Sequence, residues 1–146
     1  MLLVARPKRV SLRALLAAAA LTAVLGACTG GAAFTPLPSG ATLPTDCATM
    51  SADDVITLSA DNLEFSAPCL IAPADTAFTI RFTNHESIQH DVALYADSSK
   101  DTEYFRGETI TGPDRTIDYH VDPMPAGDHF FDCIVHPAMK GALYVR

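Results

Sequence analysis

The chain has 146 residues, with ten Lys and Arg against seventeen Asp and Glu, and a formal charge of −7. This length allows one domain of ordinary size and excludes an assembly of several large domains. The acidic balance argues against a role in binding nucleic acid or an anionic lipid surface.

The first 27 residues have the pattern of an export signal. Four basic residues lie within 6–13, and the uncharged, Ala/Leu-rich run over 14–24 is too short for a membrane span. The run ends in Leu25-Gly26-Ala27-Cys28, which resembles the bacterial lipobox, where the Cys becomes the lipidated first residue. We therefore expect residues 1–27 to be a lipoprotein signal peptide. Cys28 would then anchor the exported protein on the outer side of the cell membrane, or in the periplasm; the alternative is an ordinary signal peptide that leaves a free thiol.

Residues 28–45 are predicted to be a flexible tether. Gly, Pro, Ser and Thr dominate this segment, which has no charged residue and no apolar period. The folded domain is therefore predicted over 46–146, which is long enough for one hydrophobic core. It carries six Lys and Arg and all seventeen acidic residues, a formal charge of −11. Such a surface would attract a basic partner, although the charge also serves solubility alone.

The four cysteines divide into three roles. Cys28 is assigned to lipidation, and Cys133 lies in a metal-binding pattern described below. Cys47 and Cys69 then remain as a pair in an oxidising compartment. We expect a disulfide that closes a loop of about 20 residues and contributes about 3 kcal/mol. Two buried free thiols are the alternative.

The folded part is predicted to be all-β. No segment after Val55 keeps a helical apolar period over ten residues, and short β-branched or aromatic runs recur between turn signals. This spacing favours a Greek-key β-sandwich of seven to eight strands. The alternating run over 77–83 should point its apolar side chains into the core, and the polar segment from Asp97 to Glu103 is expected to be a loop. The candidate strands are 55–58, 63–65, 69–71, 77–83, 90–95, 108–110, 115–121, 129–133 and 142–145.

The densest group of metal-binding side chains follows the strand predicted at 129–133. Cys133, His136 and Met139 supply a thiolate, an imidazole and a thioether at three-residue spacing, which are ligand types of a mononuclear blue copper centre. The alternative is that no metal binds here, and that a buried Cys, a turn His and a core Met are neighbours by chance. Zinc is disfavoured, because Met is a poor zinc ligand and a structural zinc site needs more Cys or His nearby.

His90 is the candidate for the remaining ligand. His129 lies four residues before Cys133 on one strand, about 13 Å away at about 3.3 Å per residue, and is therefore excluded. His120 leads into the turn before that strand and is placed at the same far end. His85, in the loop that precedes His90, stays open as a competitor.

The ligand stretch resembles the cupredoxins, and among them amicyanin and related plastocyanin-like proteins. The family's Cys-x-x-His-x-x-Met loop, its aromatic lead-in and its following Gly are matched by Phe131, Cys133, His136, Met139 and Gly141. The resemblance extends to the segment 84–90 and the turn at 126–127, and spans most of 55–146. It implies a cupredoxin fold and one copper ion held by His90, Cys133, His136 and Met139.

The resemblance also assigns supporting roles next to the ligands. In the family, an Asn usually follows the first His ligand and holds the ligand loop by hydrogen bonds, whereas this chain has Asp91. An ionised Asp91 would favour Cu(II) and lower the reduction potential. Asn84 matches the family's Asn six positions before that His and is expected to support the centre as well.

The implied function is electron transfer between Cu(II) and Cu(I), by a monomer that docks a redox partner near His136. An enzyme is not expected: Asp132 and Ile134 flank Cys133 where a multicopper oxidase has His on both sides, and no common hydrolase or nucleotide-binding motif is present. The alternative is a lipoprotein that buffers or delivers copper outside the membrane. A Met/His-rich open site would favour that alternative, and the sequence has none.

Overall fold

The described residues form a β-sandwich. The computed structural model describes residues 36–38 and 40–146, so the expected signal peptide and Cys28 lie outside the described residues. Within them no residue is helical, so none lies in a helix of the length and apolarity that crossing a membrane requires. The prediction of an all-β fold is confirmed. The strands are β1 Ala48–Thr49, β2 Val55–Asp61, β3 Glu64–Phe65, β4 Cys69–Ala72, β5 Phe78–Asn84, β6 Gln89–His90, β7 Ala93–Tyr95, β8 Glu103–Arg106, β9 Ile110–Thr111, β10 Arg115–Val121, β11 Gly127–Asp132 and β12 Lys140–Val145.

Two main sheets enclose one core. The larger has the order β1-β4-β12-β11-β7-β8, the smaller has the order β10-β5-β2-β3, and β6 and β9 form a separate short pair. Both sheets contribute fully buried side chains to the core, including Leu58, Ile80, Phe82, Leu94, Phe131 and Leu143. Apolar burial of this kind is the main favourable term in folding, and here it holds the two layers face to face.

Strands with strict alternation lie within one residue of the positions that the sequence predicts. In β5, Phe78, Ile80 and Phe82 are buried, and the residues between them are more exposed. β10 coincides with the predicted strand 115–121 and pairs with β5 along its full length. One face of each strand meets the core, so the period of two was a reliable guide.

The predicted strand 90–95 is wrong as a continuous element. The chain breaks at Asp91 and Val92, because β6 pairs with β9 while β7 pairs with β11 in the larger sheet. The residues around His90 therefore belong to a different sheet from those around Leu94. Twelve strands result where seven to eight were expected, since several are two-residue pairings of this kind.

Two further predictions along this segment need correction. β8 begins at Glu103, the last residue of the predicted loop, and forms the edge of the larger sheet beside β7. Its residues are mostly exposed, so the sequence has no alternation of apolar residues that would predict this strand. The predicted strand 108–110 is displaced to β9, at Ile110–Thr111, where it pairs with β6.

A disulfide fastens the start of the domain. Cys47 and Cys69 are bonded, as predicted, across a separation of 22 residues. The bond lies beside the short parallel pairing of β1 with β4, in which Ala48 faces Leu70. Upstream, the Leu37 N–H donates to the Asp128 carboxylate at 2.6 Å.

The metal-binding pattern lies at one end of the larger sheet. β11 and β12 are antiparallel neighbours, and residues 133–139 connect them. A Cβ added to Gly141, at the start of β12, would lie 2.4 Å from Pro68 O and 2.5 Å from the Phe131 ring. Only glycine allows this close approach, which draws the connection against the core.

Candidate metal centre

The connection between β11 and β12 folds back on itself. The Cys133 N–H donates to Met139 O at 3.0 Å, and the Met139 N–H donates to His136 O at 2.9 Å. These two bonds bring the ends of the loop together. Cys133, His136 and Met139, which are three positions apart along the loop, are therefore close together in space.

Three donor atoms converge at this loop. Cys133 Sγ lies 3.8 Å from His90 Nδ1 and 3.9 Å from His136 Nδ1. The three donor atoms lie within 4.8 Å of one another, and the two imidazole rings have their centroids 4.7 Å apart. Cys133 and His90 are fully buried, whereas His136 is partly exposed. The structure thus brings His90 to the loop from 43 residues away.

Met139 is the last residue of the loop. Its side chain is buried in the same core cluster as Cys133. The backbone bond to Cys133 keeps the two residues adjacent. Its thioether could be a further, weak copper ligand, because it is soft and uncharged.

The spacing of the donors fits a metal ion. Two metal–ligand bonds to nitrogen and sulfur add up to about 4.3 Å. The Sγ to Nδ1 separations of 3.8 and 3.9 Å are shorter than this sum, so an ion bound to the cysteine could reach either histidine. Burial raises the pKa of the Cys133 thiol, so metal binding must displace a proton from it. A soft sulfur with two imidazoles and a thioether fits a single copper ion.

The other histidines lie elsewhere. His85 Nδ1 is 2.6 Å from the carboxylate of exposed Asp114, and the ring is turned towards solvent. His129 contacts the carbonyl of Pro125 at 2.9 Å, and His120 contacts the Thr79 hydroxyl at 3.2 Å. None of the three joins the group formed by His90, Cys133 and His136.

A second cluster of possible ligands does not make a metal site. Asp46, Cys47 and Cys69 lie together, and among the described residues this is the only other such group. Both sulfurs are consumed by the disulfide, so neither is available as a thiolate.

Asp91 connects the two segments that carry His90 and Cys133. Its Oδ1 accepts the Ile134 N–H at 2.7 Å, and its Oδ2 accepts the Thr109 hydroxyl at 3.1 Å. The side chain is 1% exposed. The bond to Ile134 ties the residue after Cys133 to the residue after His90, which is the support that an Asn was expected to give.

Asn84 holds the loop before His90. Its Nδ2 donates to Ile88 O at 2.7 Å and to Ile110 O at 3.0 Å, while its Oδ1 accepts the Glu86 N–H at 2.8 Å. The side chain is fully buried and joins the end of β5 to β9. It therefore shapes the loop from which His90 is presented.

One contact was not anticipated from the sequence. The Glu86 carboxylate lies 2.8 Å from His90 Nε2, on the other side of the ring from Cys133, in a direction outside that of a good hydrogen bond. In the sequence, Glu86 is a polar loop residue four positions before His90, and no sequence pattern indicates that the two are in contact.

Comparison with known proteins supports the fold. No protein-family model matches the chain, and no curated protein matches its sequence. Auracyanin from the photosynthetic bacterium Roseiflexus castenholzii superposes with a TM-score of 0.56 at 17% identity, over 66% of this chain and 99% of that one. Auracyanin A, a "blue" copper protein from Chloroflexus aurantiacus, superposes with a TM-score of 0.56 at 20% identity, over 63% and 98%. A variant of amicyanin gives 0.50 at 20% identity, over 72% and 97%.

The described part of the chain therefore has the cupredoxin fold. At these identities the likeness establishes the fold alone, and the chemistry has to be argued from the side chains. The side chains at the end of the sandwich are two imidazoles, one thiol and one buried thioether, the donor set of a mononuclear blue copper centre.

Proposed function

We propose that the protein is a mononuclear type 1 copper protein that carries single electrons. The observation that carries this proposal is the convergence of His90 Nδ1 and His136 Nδ1 on Cys133 Sγ, at 3.8 and 3.9 Å. A bound copper ion supplies one-electron chemistry between Cu(II) and Cu(I). His90, Cys133, His136 and Met139 are its proposed ligands.

The fold buries most of these donors and connects the segments that carry them. Cys133 and His90 are fully buried, Met139 is nearly so, and Asp91 locks the two ligand-bearing segments together. A rigid, dry site resists the change of geometry that the two oxidation states of copper otherwise prefer. The site would then rearrange little when the oxidation state of copper changes, which favours fast electron transfer.

His136 is the proposed exit for the electron. It is the only one of the proposed ligands that is more than marginally exposed, and it lies at the end of the sandwich. Val135 and Ile88 are large apolar residues that remain 42% and 41% exposed, and Pro137 and Ala138 are exposed as well. We propose that these residues form an apolar patch around His136, through which a partner protein would approach the centre closely.

Export to an oxidising compartment is part of the proposal. The disulfide between Cys47 and Cys69 supports it, because such bonds persist mainly outside the reducing cytoplasm. We propose that a lipid on Cys28 anchors the domain to the membrane, as the lipobox-like segment suggests.

The optical spectrum of the copper form tests the function. Thiolate coordination to Cu(II) in such a site is expected to give an intense band at about 600 nm. Cys133→Ser should abolish the band, because the hydroxyl is a poor replacement for the anionic sulfur. Met124→Leu is the control, since Met124 is buried in the same core but is not a proposed ligand.

A colourless copper-loaded protein would contradict the proposal. Rapid loss of copper to a chelator, within seconds, would instead favour copper buffering or delivery. The burial of Cys133, His90 and Met139 argues against that alternative, since exchange needs an accessible ion.

A further inference from the structure

Part of the segment that precedes the domain lies against it. Residues 36–38 and 40–45, here called the strap, carry no charge. Its partly buried residues are Leu37, Leu43 and Pro44. The Leu37 N–H donates to the Asp128 carboxylate at 2.6 Å, across 91 positions of the chain. The strap is therefore bonded to β11 and buries part of its apolar surface.

The strap meets the outer face of the larger sheet. Leu143 and Val145 belong to the core, so Tyr144 between them points to the opposite face. Asp128 is paired with Tyr144 and therefore shares that face. Tyr144 is nonetheless only 6% exposed. A side chain that points outward with so little exposure is covered from outside the sheet, where the Leu37 N–H reaches Asp128.

The Asp128 carboxylate is fixed on the side of the domain. It forms an ion pair with Arg146, and its side chain is only 12% exposed. The Arg146 guanidinium lies 5.6 Å from the centroid of the Tyr144 ring and donates to Gly127 O at 2.9 Å. A hydrogen bond to a charged acceptor is stronger than one between neutral groups. The strap is thus held at a defined point of the sheet.

The sequence of the strap favours a fixed course. The Ala41 N–H donates to Pro38 O at 3.0 Å, and Gly40 in this turn has a φ of +83°, which glycine adopts readily. Prolines at positions 36, 38 and 44 restrict the chain before it docks. Less conformational entropy is therefore lost when the strap binds the sheet.

The strap changes the end at which the chain leaves the domain. β1 is parallel to β4, and β4 is parallel to β12, which begins at Lys140 beside the ligand loop. The chain therefore enters β1 from the side of the metal centre. Asp128 lies towards the other end of the sheet, five residues before Cys133 and about 17 Å from it at about 3.3 Å per residue. The strap carries the chain from there across β12 and β4 to β1.

We propose that the strap orients the protein on the membrane, with the metal centre turned away from the lipid surface. Residues 29–35 separate the proposed lipid on Cys28 from Pro36, and even a fully extended chain of this length keeps the anchor within about 28 Å of Pro36. Since the chain leaves the domain beside Asp128, that end lies nearer to the membrane. The partly exposed His136 then faces a partner in the aqueous space. This inference rests on the lipid anchor proposed above.

Hydrogen exchange tests whether the strap is docked. The Leu37 amide should exchange about tenfold or more slowly than in an unfolded chain, because of its bond to Asp128. Asp128→Ala removes the acceptor and should abolish this protection. Asp122→Ala is the matched control, since Asp122 is an exposed acidic residue in the turn before β11. An unprotected Leu37 amide in the wild-type protein would overturn the inference, as would equal protection in the two variants.

Quenching of a fluorescent label tests the orientation. The lipidated copper protein is bound to phosphatidylcholine vesicles in which some headgroups carry a nitroxide quencher. A label on Ala126→Cys, at the Asp128 end, should be quenched more strongly than a label on Ser87→Cys, in the loop before His90. Leu37→Pro removes the N–H donor and should abolish this difference, whereas Leu37→Ala keeps the donor and should retain it.

Equal quenching of the two labels in the protein with Leu37, or stronger quenching of the label at position 87, would overturn the proposed orientation. Equal behaviour of Leu37→Pro and Leu37→Ala would show that the bond to Asp128 does not set it.

These outcomes are distinct from failure of the proposed function. The band at about 600 nm tests the copper site independently of the strap. A mature protein whose mass shows no lipid on Cys28 would overturn the anchor and with it the orientation on the membrane. Exchange of the Leu37 amide would still decide whether the strap is docked.

Discussion

At the scale of single residues, Asp91 stands next to His90, where an Asn was expected. It makes the hydrogen bond to the Ile134 N–H that an Asn would also make, at 2.7 Å. The difference is a carboxyl group in place of an amide, and it is buried beside two of the proposed ligands. Its two hydrogen-bond donors, the Ile134 N–H and the Thr109 hydroxyl, are uncharged, and the guanidinium of Arg106 interacts with it electrostatically. An ionised Asp91 would stabilise Cu(II) relative to Cu(I).

Asp91→Asn should therefore raise the reduction potential of the copper form. The amide oxygen still accepts the Ile134 N–H and the amide nitrogen can donate to Thr109, so stability should change by less than about 1 kcal/mol. The ratio of Cu(II) to Cu(I) affinity should fall about tenfold. Electrochemistry of the copper form measures this directly.

The control for this substitution is Asp122→Asn. Asp122 is exposed and follows Val121, which pairs with Phe78 at the opposite end of β5 from Asn84. Its loss should leave the potential almost unchanged, because solvent and salt screen a distant surface charge. An unchanged or lower potential in Asp91→Asn would show that the charge of Asp91 does not set the redox balance.

At the scale of elements, Tyr119 ties β10 to the chain between β8 and β9. Its hydroxyl donates to Glu108 O at 2.6 Å, and its ring packs against Phe82 with centroids 5.8 Å apart. A Cβ on Gly107 would lie 2.7 Å from this ring, so the chain passes directly over it. Burial raises the pKa of the Tyr119 hydroxyl, which keeps the proton needed for the bond.

Tyr119→Phe should lower the free energy of unfolding by about 1–2 kcal/mol, because the hydrogen bond is lost and the carbonyl of Glu108 is left without its donor. Denaturant titration of the metal-free protein measures the effect. Tyr104→Phe, at a ring that is 38% exposed, is the matched control and should change stability by less than about 0.5 kcal/mol. Equal losses in the two variants would argue against the role of this bond.

At the scale of the whole molecule, the disulfide and the metal centre are separate supports. The bond joins Cys47 to Cys69 and so connects the start of the domain to β4, which also pairs with β12. None of the proposed ligands lies in the loop that the bond closes. Its contribution should therefore appear in stability and not in the spectrum.

The double variant Cys47→Ala/Cys69→Ala should lower the free energy of unfolding by about 3 kcal/mol, the value expected for a loop of about 20 residues. Its copper form should keep the band at about 600 nm, since the ligand set is untouched. Thermal unfolding and the optical spectrum of the same sample test both statements. If the band were lost and the stability unchanged, the disulfide would support the metal centre and not the fold, contrary to this prediction.

Local patterns in the sequence predicted the fold class, the group of metal-binding side chains in one loop, and the disulfide. The all-β class follows from the period of two in segments such as 77–83 and 115–121, because each strand has one buried face. The grouping of Cys133, His136 and Met139 follows from short spacing, since a loop of seven residues cannot separate its members far. The pairing of Cys47 with Cys69 followed from the count of cysteines.

Only the tertiary structure decided which histidine, distant from Cys133 along the chain, lies beside it in space. His85 and His90 are five positions apart and both were candidates, yet one ring turns to Asp114 and solvent while the other reaches Cys133. The break after His90 and the contact with Glu86 also depend on which strands pair. Such choices arise from the register of β6 with β9 and of β7 with β11, which no local pattern contains. The sequence therefore determined the chemistry that is available, and the packing of the two sheets decided which side chains share one point in space.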